Sequence, residues 1–93
     1  MDEFLARQLA LIQQAVVDYR GGVFTLNQLV RRVEALGNVI GGEFWDEQLF
    51  DIVLDLEGIN SELIDKGRQM TATEQERVKD ILSQLEAITA GQC

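Results

Sequence analysis

The chain reads as an all-α protein, an antiparallel up-down four-helix bundle, on three observations. Its 93 residues include no proline, so no helix interior holds the residue that most strongly breaks one. No stretch alternates polar and apolar residues long enough to make a convincing strand. Apolar residues instead recur three and four positions apart in four segments, and the short connections between them imply antiparallel neighbours. A composition of 46% hydrophobic and 26% charged residues is that of an ordinary globular domain, and residues 1–93 are expected to form one, large enough for a single core.

Helix one is predicted over residues 2–20. Leu5, Leu9, Ile12, Val16 and Tyr19 step by four, three, four and three. Asp2 and Glu3 suit the positive end of its dipole, and Gly21-Gly22 end it. Helix two follows over residues 26–36: Thr25 and Gln28 have the spacing of a capping box, with Phe24 before the cap able to pack on Leu29. Its buried stripe is Leu26, Leu29, Val30, Val33 and Leu36, and Gly37 is expected to end it. The doublet Arg31-Arg32 serves either to contact an anion or to balance the acidic segment that follows. Residues 38–42 form a connection in which Val39 and Ile40 tuck under the bundle before a flexible Gly41-Gly42 pair.

Helix three, predicted over residues 43–66, is a rod of about 33 Å and the central packing element. Trp45, Leu49, Ile52, Leu56, Ile59 and Leu63 make its core stripe. From Glu43 to Asp65 it carries eight carboxylates and no Lys or Arg, which equals the net charge of -8 of the whole chain. Glu43, Glu47, Asp51 and Asp55 follow one another at i, i+4, where each like-charge pair opposes the helix by roughly 0.2–0.5 kcal/mol. Such a row is either a binding surface for something positive or an ordinary solvated face. Phe50 and Leu54, one turn apart, project between Asp46 and Glu57 on one flank and Glu43, Glu47 and Asp51 on the other. They are either an apolar anchor with a charged rim or packing against a neighbouring helix. Gly58, inside the rod, marks a bend or a close backbone approach within one helix. Gly67 fits the helix end, with Lys66 and Arg68 beside it. Helix four is predicted over residues 72–89. It opens at Thr71 with Glu74 or at Thr73 with Glu76, buries Val78, Ile81, Leu82, Leu85 and Ile88, and frays from Ala90 to Cys93.

Composition excludes several functions. There is no histidine, the commonest general base and transition-metal ligand, and the single cysteine, Cys93, is the last residue, with no partner for a disulfide or for nucleophilic catalysis. Bundles that hold two metal ions use inward Glu-x-x-His pairs, which are lacking here. No glycine-rich phosphate loop is present. The expectation is therefore a protein that is not an enzyme and uses no cofactor. A net charge of -8 argues against nucleic acid and anionic membrane as partners and for a basic protein. With no run of ~18–20 apolar residues, and with Asp2 and Glu3 where a leader would carry positive charge, the expected location is the cytoplasm; the expected state is a monomer or weak homodimer.

The segments Asp18-Tyr19-Arg20-Gly21-Gly22-Val23-Phe24-Thr25-Leu26 and Glu43-Phe44-Trp45-Asp46-Glu47-Gln48-Leu49-Phe50 together resemble those of bacterial toxin immunity proteins. The likeness is to the families that neutralise colicin D and the tRNA-cleaving toxins of contact-dependent growth inhibition, and it covers residues 5–65 loosely. It implies a small acidic bundle that blocks the basic nuclease domain of a cognate toxin, its carboxylates standing in for RNA phosphates. The expected partner-binding residues are Glu43, Asp46, Glu47, Phe50, Asp51, Leu54 and Asp55, with Arg31, Arg32 and residues 38–42 as the second choice of surface. The contrasting expectation is a helical scaffold or homodimeric interaction protein with no toxin partner.

Overall fold

A computed structural model describes residues 3–90, and every described element is helical. The predicted roles of Asp2 and Cys93 lie outside the described residues. Helix α1 spans Glu3–Arg20, α2 Leu26–Ile40, α3 Phe50–Lys66 and α4 Ala72–Ala90. A single π-helical turn, Phe44–Leu49, leads directly into α3. Each helix packs on the next, and α4 packs back on α1, so the four enclose one core. Leu9, Ile12 and Val16 of α1 meet there with Leu29 and Val33 of α2, Leu49 and Leu56, and Leu82 and Leu85 of α4. At roughly 25 cal/mol per Å², burial of such side chains is the main force closing the bundle.

Local signals set most of the helix ends. At the start of α2 the Thr25 hydroxyl accepts from the Gln28 amide at 3.2 Å and the Gln28 side chain accepts from the Thr25 amide at 2.9 Å. Thr71 and Glu74 repeat the arrangement before α4, at 3.1 and 3.0 Å, which selects Thr71 over Thr73. After α1, Gly22 at φ 82° lets Val23 N–H reach the Asp18 carbonyl (2.8 Å) and its own N–H the Tyr19 carbonyl (3.1 Å). Gly67, at φ 60°, closes α3 the same way: Arg68 N–H donates to Leu63 and Gly67 N–H to Ile64. Both satisfy carbonyls left over at a helix end through a left-handed residue that glycine adopts without strain.

Arg68 then holds the turn into α4. Its guanidinium grips Glu74 with both nitrogens, at 2.7 and 3.1 Å, bonds the Gln69 carbonyl at 3.1 Å, and lies 3.5 Å from Glu62. Hydrogen bonds from Arg68 and from the Thr71 amide hold the Glu74 carboxyl down at about 2. Glu62 is lowered as well, chiefly by its hydrogen bond from Lys66 at 2.9 Å. Arg20 and Glu86, 2.6 Å apart, tie α1 to α4.

Three expectations are corrected. Gly37 does not end α2: the helix runs through it for one more turn to Ile40, so Asn38, Val39 and Ile40 are helical rather than connecting. Ile40 packs against the core while Val39 stays exposed. Gly41, at φ 59°, is the true end, its N–H donating to the Gly37 carbonyl at 2.8 Å. The rod predicted over residues 43–66 is interrupted by the π-turn, where the Phe50 N–H reaches back five residues to the Trp45 carbonyl. Gly58, in contrast, lies within uninterrupted α-helix, exposed, with open space where a Cβ would stand, so it marks neither a break nor a close approach.

Candidate functional site

The predicted acidic row is divided in the structure. In an α-helix, i, i+4 residues stand nearly one above the other; the π-turn, with its i→i+5 hydrogen bonding, turns each residue by only about 80° instead of 100°. Glu43 and Glu47, at and inside that turn, therefore leave the register of Asp51 and Asp55 in α3. They line a shallow depression with Phe44 and Gln48. Asp55 lies on the other side, where its Oδ2 is 3.5 Å from Nη2 of Arg77 on α4, so it is paired rather than free. Asp46 and Asp51 are exposed. Among the described residues Glu43, Asp46, Glu47, Asp51 and Glu57 make no ion pair.

Phe50 and Leu54 are not core. They remain 45% and 52% exposed and line a cleft of about 270 Å³ between α2 and α3. Trp45 and buried Val53 complete its apolar lining, and its polar lining comes from Glu34 and Asn38 of α2 and Glu57 of α3. Only Glu57 belongs to the flanks that helical projection placed around Phe50. Glu34 and Asn38 come from a helix 12 to 20 residues earlier in the chain, which projection along one helix cannot supply. Trp45 and Phe50 meet edge to face, centroids 5.9 Å apart at 84°, a favoured aromatic geometry.

Gly37 explains where Trp45 sits. A Cβ built on this buried glycine would collide with Cζ3 and Cε3 of the Trp45 ring, so the indole rests directly on the α2 backbone. Trp45 is consequently half-buried, not the fully enclosed core residue expected of its stripe.

Beyond the apolar cleft, Glu34 and Glu57 also line a second, polar one with Asn27, Arg31, Asn60 and Ser61. There Asn60 Nδ2 donates to Asn27 Oδ1 at 2.9 Å, joining α3 to α2 with Asn60 only 8% exposed. This buried polar pair was not singled out from the sequence, although Asn60 lies one position beyond Ile59 and four beyond Leu56, on the edge of the apolar stripe. Arg31 and Arg32 are exposed and form no ion pair among the described residues, so the doublet does not balance the acidic segment by direct contact.

Among the described residues no group of three or more Cys, Asp or Glu side chains is placed to hold a metal ion, and no helix is long and apolar enough to cross a membrane. What the geometry offers is a half-open aromatic and aliphatic groove with carboxylates at its edge. No protein-family model, curated protein or solved structure matches the chain.

Proposed function

We propose that this protein is an immunity protein that binds and blocks the basic, tRNA-cleaving nuclease domain of a cognate toxin through the α2–α3 groove and the acidic surface next to it. The observation that carries the reading is the coincidence of half-exposed Phe50 and Leu54, whose cleft Glu57 lines, with four further carboxylates of the same segment of chain, Glu43, Asp46, Glu47 and Asp51; none of the five makes an ion pair among the described residues. Opposed charge accelerates encounter, and an apolar anchor set in a charged rim slows release. A chain of net charge -8 suits a basic protein and repels nucleic acid and anionic membrane. Inhibition of this kind needs no cofactor and no catalysis, and it acts in the cytoplasm, where the tRNA is. The four helices run up and down as an antiparallel bundle in this reading, supported by the short connections and by the packing of each helix on the next.

The test expresses the product of the neighbouring gene, titrates the purified protein against any nuclease domain it carries, and follows both binding kinetics and survival of the tRNA substrate. Stoichiometric protection, with association slowed by charge reversal at Glu47 and Asp51, is the expected result. Wild-type protein that binds the domain but leaves cleavage unaffected refutes it.

A homodimeric scaffold is the second reading, favoured by the exposure of Val39 and Ile64 in addition to Phe50 and Leu54. Light scattering at micromolar concentration separates the two. A stable dimer that dissociates on Leu54→Lys supports the scaffold, and a monomer removes it.

A further inference from the structure

We infer that the α2–α3 groove receives an arginine side chain of the protein partner, held between Glu34 and Glu57, together with a neighbouring apolar side chain against Phe50 and Leu54. The inference rests on the reading that this surface meets a basic protein, and it names what that protein inserts. Glu34 and Glu57 come from facing helices and line both the apolar cleft and the polar one, so they stand where the two meet. Neither makes an ion pair among the described residues, even though Arg31 lines the polar cleft with them. Arg31, the cation that shares the polar cleft with them, thus leaves both carboxylates without an ion pair.

The surroundings select arginine over lysine. Beside the carboxylates lies the edge-to-face pair Trp45 and Phe50, the latter half-exposed. A guanidinium is planar, weakly hydrated, able to stack on aromatic faces and to meet carboxylates with two parallel hydrogen bonds, whereas an ammonium is a strongly hydrated point charge. The size of the cleft agrees, since about 270 Å³ leaves room for an inserted side chain.

The probe is an acetylated helical peptide with one arginine four residues from a leucine, compared with peptides carrying citrulline or lysine at the arginine position. Trp45, the chain's single tryptophan, reports occupancy of the groove by its emission, and amide spectra map the contact. The arginine peptide is expected to shift Trp45 and the α2 and α3 amides. Citrulline should weaken binding about tenfold, as should the double change Glu34→Gln, Glu57→Gln, with lysine between and Leu54→Lys abolishing it. Circular dichroism checks that each variant is folded. Absence of any spectral change up to about 1 mM peptide, or equal binding of the arginine and citrulline peptides, overturns the inference. Protein that binds the arginine peptide but leaves active a nuclease domain carried by the neighbouring gene product keeps the groove and removes the immunity reading. Protein that inhibits the nuclease equally well with and without Glu34 and Glu57 removes the groove and keeps immunity.

Discussion

Gly37→Ala and Gly58→Ala make the same chemical change inside two helices, and the structure gives them opposite signs. Alanine is favoured over glycine in a helix interior by about 0.5–1 kcal/mol. At Gly58 nothing lies within 4 Å of the added methyl group, so the full gain is expected. At Gly37 the methyl group falls onto the Trp45 ring, and overpacking of that kind opposes folding by about 1–3 kcal/mol. Subtracting the propensity gain leaves a net loss of up to about 2.5 kcal/mol for Gly37→Ala. For a domain of this size each kcal/mol moves Tm by roughly 4–8 °C, so the two variants should separate clearly in urea and thermal unfolding followed by circular dichroism. Trp45 emission should shift to the red in Gly37→Ala as the indole is pushed toward water. The cause is isolated by the double variant with Trp45→Ala: once the ring is gone, Gly37→Ala should stabilise instead of destabilise. Equal stabilisation by both glycine changes in the Trp45 background would refute the claim that the indole lies on the α2 backbone.

Other perturbations test the remaining contacts. The Glu74 carboxyl is held at about 2 when folded, below its unfolded value, so it contributes stability that is fully present above about pH 4.5 and is lost as pH falls toward 2. Glu74→Gln should flatten that acid limb of a stability-versus-pH curve while keeping the helix cap. Asn60→Ala leaves the part-buried Asn27 amide without its partner and should cost about 1–3 kcal/mol in urea unfolding, whereas an exposed polar residue would lose almost nothing. Asp51→Asn should be neutral or slightly stabilising at low salt, and Asp55→Asn should lose no more than about 1 kcal/mol, because its pair with Arg77 is half-exposed and 3.5 Å long. A loss above about 2 kcal/mol at either position would show a carboxylate more deeply engaged than this.

Much of the fold was legible because it rests on local signals. The capping boxes at Thr25 and Thr71, the glycine ends at Gly22 and Gly67, and the stripes of α1, α2 and α4 all follow from spacing alone. The end of α2 was not, because Gly37 and Gly41 offer the same stop signal four residues apart. Ile40 held the available hint: it lies four after Leu36 and seven after Val33, which continues the stripe past Gly37. The groove was half legible. Phe50 and Leu54 could be chosen from α3 alone, but Glu34 and Asn38 are brought to them by packing of α2 on α3, a relation that no periodicity within one helix contains. Asp55 was grouped with the acidic row because its i, i+4 spacing from Asp51 is visible in the sequence, whereas its pairing with Arg77, 22 positions on, arises only from the packing of α4 on α3.

The π-turn helps to shape the groove. Phe44 and Trp45 are adjacent, and in an α-helix their side chains would diverge by about 100°, leaving one large aromatic turned away from the bundle. The wider π-turn, with its i→i+5 hydrogen bonding, narrows that divergence to about 80°, and both rings do pack against the core. The shift carries Trp45 onto Gly37, where only a residue without a side chain lets an indole so close to the backbone. From there its ring meets the edge of Phe50, at the first residue of the regular helix, and forms one wall of the cleft. An uninterrupted rod would place Trp45 wholly on the buried stripe with Leu49 and Ile52, leaving Phe50 and Leu54 as isolated apolar residues on a solvated face. The local irregularity that periodicity could not foresee is therefore what turns two exposed residues into a shaped site, and it does so through Gly37, an ordinary helix position but for the ring above it.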